Sequence, residues 1–131
     1  MKILKHPLLL TALGAASLTS VQAANLPKRV GACVETRIKS VETRLIDGAT
    51  GKPMPGSGSA VSFTNGGYQV SYETVAAVEQ SRKGDPVRMC LVRIPKGCPK
   101  GDTRGRIYYT TNLRTHKSWR LPDAEHSCGG A

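Results

Sequence analysis

The stretch Ala60-Val61-Ser62-Phe63-Thr64-Asn65-Gly66-Gly67-Tyr68-Gln69-Val70-Ser71-Tyr72 decides the fold class. On both sides of Asn65-Gly66-Gly67, apolar and polar residues alternate, which is the pattern of strands with one buried face. Asn-Gly supplies the positive φ angles that a tight hairpin turn demands. The segment is therefore expected to be a β-hairpin. Val61 and Phe63 should face Tyr68, Val70 and Tyr72 on its buried side.

Upstream, residues 47–59 contain Gly48, Gly51, Pro53, Pro55, Gly56 and Gly58, hence an exposed loop. Before it runs a short echo, Val34-Glu35-Thr36-Arg37-Ile38 and then Val41-Glu42-Thr43-Arg44-Leu45. Val34, Ile38, Val41 and Leu45 fit one helical stripe, and they fit equally a strand whose facing flips at a bulge near Lys39-Ser40. The density of Val, Thr and Ile, which pack best on a pleated surface, favours one long, bent strand.

Downstream, residues 74–81 read as a two-turn helix ended by Lys83-Gly84. Gly84-Asp85-Pro86 turns the chain into residues 87–94, the most apolar stretch after residue 24 and the expected central strand. Residues 95–102 form a second turn-rich loop containing Cys98. Residues 106–113 and 118–121 make a last hairpin around Arg114-Thr115-His116-Lys117, and residues 122–131 an irregular tail containing Cys128. The expected order is three strands, a short helix and three more strands. That is a mainly β chain, a small antiparallel barrel of five to six strands.

A helix between the third and fourth strands resembles the OB-fold, a Greek-key barrel. The second half also resembles small exported proteobacterial proteins of no assigned activity. The shared wording runs through Gly84-Asp85-Pro86-Val87, Thr111-Asn112-Leu113-Arg114-Thr115, Ser118-Trp119-Arg120-Leu121-Pro122-Asp123 and Cys128-Gly129-Gly130-Ala131. Neither resemblance implies a functional residue.

The chain starts with a different kind of segment. Lys2 and Lys5 give a basic start, residues 7–21 are uncharged and mostly apolar, and Val21-Gln22-Ala23 ends with small residues where a signal peptidase reads. The apolar run is too short to span a membrane. Residues 1–23 are expected to be a secretory signal cut after Ala23. Residues 24–131 would then be a single domain, periplasmic or secreted. Ala24 rather than Cys follows the cut, so no lipoprotein anchor is expected.

Export sets the reading of the cysteines. Cys33, Cys90, Cys98 and Cys128 all follow the signal, and an even count in an oxidising compartment implies two disulfides. Three pairings are open. Cys33–Cys90 with Cys98–Cys128, which ties the first strand to the centre and the tail to a loop, is the one expected. A metal site built from cysteines and His126 lacks CxxC or HxxxH spacing, so no metal and no cofactor is anticipated.

Removing Lys2 and Lys5 from the 19 Lys and Arg leaves 17 against 9 Asp and Glu, a net charge of +8. Residues 82–120 hold 11 of these cations with only Asp85 and Asp102, so nearly all the excess lies on one third of the chain. Arg104 and Arg106 should share a strand face with Tyr108, while Arg120 should point away from Trp119. Clustered guanidinium groups beside an aromatic ring suit phosphate, sulfate or carboxylate polymers. The candidate ligand-binding residues are Arg104, Arg106, Tyr108, Arg114, Lys117 and Arg120.

Catalytic chemistry is hard to assemble from what remains. His116 is placed at a hairpin tip and His126 in the tail, and Pro55-Gly56-Ser57-Gly58-Ser59 is a flexible loop rather than a nucleophile elbow. Asp85 and Asp102 sit beside glycines in turns, where Asp bonds its own backbone. No phosphate-binding glycine loop appears. The expectation is a non-catalytic envelope module that binds an anionic polymer or lipid headgroup, with export arguing against nucleic acid. The competing class is a protein–protein module such as an inhibitor of a periplasmic hydrolase, with residues 47–59 and 95–102 as the inserting loops.

Overall fold

The computed structural model describes Ile3, residues 11–16 and residues 25–130. Lys2, Lys5 and Ala23, on which the export-signal reading rests, lie outside them. In chain order the elements are β1 (Cys33–Thr43), β2 (Ser59–Phe63), β3 (Tyr68–Ser71), α1 (Ala76–Glu79), β4 (Pro86–Arg93), β5 (Ile107–Asn112) and β6 (Ser118–Pro122). The six strands form one antiparallel sheet in the order β3-β2-β1-β4-β5-β6.

Residues 34–43 are strand, which settles the choice against the helical stripe. The first half of β1 pairs with β4, from Cys33 opposite Cys90 to Arg37 opposite Pro86. Its second half pairs with β2, and the register breaks between Ile38 and Ser40. This bulge at Lys39 bends the strand, so one strand serves two half-sheets and the whole curls into a half-barrel. The first strand is paired on both sides and the short helix lies between the third and fourth strands, the mainly β element order expected.

Two expectations need correcting. The helix has one turn rather than two: it spans Ala76–Glu79, Val75 at its start supplies no side-chain cap, and the Val75 N–H donates to Ser59 Oγ at 2.9 Å. The β2–β3 turn is also longer than a two-residue Asn-Gly turn. Phe63 and Gly67 close a three-residue loop, with Phe63 N–H donating to Gly67 O and Gly66 alone at positive φ. That length pairs Val61 with Gln69, so the inward residue of β3 is Gln69. Tyr68 and Val70 belong to the opposite face, and a one-residue change in register is enough to exchange them.

The core gathers Phe63, Met89, Leu91, Tyr108 and Trp119 under the curl, with Val78 of α1 inserted at one end. The edge strands β3 and β6 are not joined by a ladder. Gln69 bridges them instead, its side-chain N–H groups donating to Tyr108 O and Leu121 O at 2.9 and 3.0 Å. Its Oε1 accepts from Thr110 Oγ1 at 2.7 Å and from Trp119 Nε1 at 2.9 Å. Both expected disulfides are present. Cys33–Cys90 links paired residues of β1 and β4, and Cys98–Cys128 ties the loop before β5 to the tail.

Candidate anion-binding face

The six residues singled out from sequence are not gathered in one place. Arg104 lies in the turn before β5, Arg106 directly precedes the strand on the side of Tyr108, and Arg114 and Lys117 follow it. A six-residue strand separates these two groups by about 20 Å. Tyr108 is 3 % exposed and belongs to the core, its hydroxyl held in the phenol form by burial and by the nearby Asp123 carboxylate.

Most of the charges there are already used. Arg104 makes a two-pronged pair with Asp102 at 3.0 and 2.9 Å and also donates to Gly130 O. Gly129 N–H donates to the same carboxylate, so this cluster fastens the tail beside Cys98–Cys128. The guanidinium holds the Asp102 carboxyl well below the ordinary carboxylate range. At the other end, Arg114 clamps the buried Asp85 at 2.7 and 2.9 Å. Asn112 Nδ2 and Arg82 N–H complete that site, and the Arg114 pair again lowers the acid's pKa far below its usual value. Both aspartates do bond their local backbone as turns require, but their arginine partners make them fasteners of the fold. Arg106 lies turned toward Tyr108 and Asp123.

Arg120 is different, and it leads to residues that the sequence reading left out. Across the outer face of β1, β4, β5 and β6 the register sets Cys33, Cys90, Tyr109 and Arg120 in one row. The next row holds Glu35, Arg88, Thr111 and Ser118. On the other side of Tyr109 lies the row Arg93, Ile107 and Pro122. With Val92 in the chain, an unbroken alternation would turn Arg93 inward like Leu91; the irregularity between Leu91 and Arg93 instead leaves Leu91 facing Tyr108 inside and Arg93 facing Ile107 outside. Without the extra residue Val92, the alternation after Leu91 would be unbroken.

Arg88, Arg93 and Arg120 are exposed, and among the described residues none of their side chains has an ion pair or hydrogen-bond partner. They surround Tyr109, which is 44 % exposed. Strand spacing places Arg88 and Arg93 about 13 Å apart along β4, with Arg120 roughly 10 Å across the sheet and level with Tyr109. Glu35 is the acid at the border, opposite Arg88. Arg37 on the same strand donates to Gly84 O. The alternation of β4 could have identified Arg88 from sequence. Arg93 could not be placed without the bulge, nor Tyr109 without knowing which of two adjacent tyrosines faces inward.

Two hollows accompany the sheet. One of about 130 Å³ lies between the β2–β3 turn and Asp123, over Met89 and Tyr108. Burial raises the Asp123 carboxyl pKa even though Gly105 N–H donates to it at 2.7 Å. The other, about 210 Å³, follows the gap between β3 and β6 beside Tyr72 and Leu121. His116 and His126 are both exposed, and among the described residues no three His, Cys, Asp or Glu side chains converge. No protein-family model, curated protein or solved structure matches the chain.

Proposed function

We propose that the chain is an exported, non-catalytic binding module that holds an anionic polymer against the outer face of β4, β5 and β6. The observation that carries this reading is the set of three unpartnered arginines, Arg88, Arg93 and Arg120, around an exposed tyrosine. A guanidinium without an internal acid keeps its donors for a ligand, and neighbouring cations on a rigid sheet attract repeated negative charges at range. Two disulfides support an oxidising compartment, and no helix among the described residues is long and apolar enough to cross a membrane. N-terminal sequencing of the processed protein should begin at Ala24.

Salt elution from a sulfonated resin tests the face. Reversing Arg88, Arg93 and Arg120 to Glu should bring elution forward far more than reversing Lys96, Lys100 and Lys117, although both triples change net charge equally. Equal effects would mean that net charge alone governs retention. Against polyphosphate, the first triple should also flatten the slope of log affinity against log salt by roughly 2.

A protein–protein module remains the second reading because of one feature. Ile46 and Met54 are 50 % and 41 % exposed beside a loop that Arg44 fastens through Ser57 O. A stoichiometric protein captured from envelope extract through that loop, with no polyanion retention, would favour it.

A further inference from the structure

Resting on the anion-binding reading, we infer that Tyr109 is a stacking platform for a sugar ring, so the polymer held on this face is an acidic glycan. Tyr109 occupies the centre of the face, directly opposite Arg120 on β6 and Cys90 on β4. Thr111 and Ser118 in the next row are small, and Cys90 beside it is tied back to Cys33 instead of projecting. No cation covers the ring: the cation–ring contact found among the described residues is Arg44 over Tyr72, 4.3 Å from the centroid. The molecule therefore presents an exposed phenol with Arg120 beside it and Arg88 and Arg93 in the flanking rows.

A charged chain without rings would use the arginines and leave the phenol idle. A pyranose offers a face of C–H groups that packs on an aromatic ring, while sulfate or carboxylate groups on that unit and its neighbours come within reach of Arg88, Arg93 and Arg120. One platform suits one stacked unit. Single-stranded nucleic acid is instead held by successive aromatic rings along a basic groove, and this face has a single exposed aromatic.

Calorimetric titration with three probes tests this: a sulfated octasaccharide, polyphosphate of matched charge, and an oligothymidylate. Tyr109→Ala should weaken octasaccharide binding roughly tenfold, the size of one lost ring contact, and change polyphosphate binding less than twofold. Tyr109→Phe should keep the wild-type affinity for both. Equal losses on octasaccharide and polyphosphate, or no loss on the octasaccharide, would overturn the stacking role. The charged face would still stand if reversing Arg88, Arg93 and Arg120 abolished polyphosphate binding. A larger loss on oligothymidylate than on octasaccharide would make Tyr109 a base platform and overturn the glycan assignment. A wild-type protein that binds none of the three overturns both readings.

Discussion

Trp119 Nε1 donates to Gln69 Oε1 at 2.9 Å across the gap between the two edge strands. The sheet thus ends in two strands that no ladder joins, and a single amide side chain holds them together. Gln69 is fully buried, and its two N–H donors and its carbonyl oxygen engage four partners on β5 and β6. A buried polar network is tolerated only when it is satisfied to this degree. The half-barrel gains by it a fixed curvature, which also sets the outer face carrying Tyr109.

Replacing Gln69 by Leu should cost about 3 kcal/mol, because the Trp119 indole N–H and the Thr110 hydroxyl are left buried and unpaired. Gln69→Glu gives a sharper test. Its carboxylate could accept from Trp119 and Thr110 but would face the Tyr108 and Leu121 carbonyls, where only a donor fits. The folded state therefore favours the protonated acid and raises its pKa above the unfolded value near 4.3. The variant should be most stable below about pH 4 and lose that stability as pH rises through the folded pKa. Urea melts of variant and wild type that stay parallel from pH 4 to 7 would refute the role given to Gln69.

Asp85 should show the opposite dependence. Its pKa is depressed by Arg114, so its contribution is complete above the unfolded value near 3.9 and declines as pH falls below it. Asp85→Asn keeps the shape but removes the charge that Arg114 clamps, at a cost of about 3 kcal/mol at pH 7. The deficit relative to wild type should shrink steadily as the pH is taken from 5 toward 2. A deficit that is the same at both ends would assign Asp85 a purely steric role.

Asp123 carries the reverse sign to Asp85 within the same molecule. Burial raises its folded pKa, so its ionised form is held at a cost near neutrality and folding is more favourable where it is protonated. Asp123→Asn retains an oxygen for Gly105 N–H. The variant should melt at or above the wild-type temperature at pH 7, with the advantage vanishing by pH 4. A lower melting temperature at pH 7 than at pH 4, relative to wild type, would show that the carboxylate is needed.

Much of this fold was legible because local signals agreed. The β-branched echo of residues 34–45, the loop glycines and the cysteine count pointed to the bent β1, the connections and the two disulfides. Gln69 was hidden because its facing depends on turn length, which Asn65-Gly66-Gly67 leaves ambiguous between two and three loop residues. The candidate site was legible only in its charge. Summing cations over residues 82–120 cannot separate Arg104 and Arg114, consumed by Asp102 and Asp85, from Arg88 and Arg93, whose freedom depends on register. Of the original six, Arg120 alone belongs to the face proposed above.

The bulge at Val92 makes a test of that register possible. Leu91 points inward and Arg93 outward, and Val92 is the extra residue that lets both be true. Deleting Val92 would therefore leave Arg93 directly after Leu91 in a regular strand, still opposite Ile107 and still on the outer face. The deletion should cost about 1 kcal/mol for the lost packing of a half-buried valine. It should also keep retention on the sulfonated resin within the wild-type range, whereas Arg93→Glu elutes early. Early elution of the folded deletion variant would mean that the bulge, and not merely the outward facing of Arg93, shapes the binding face.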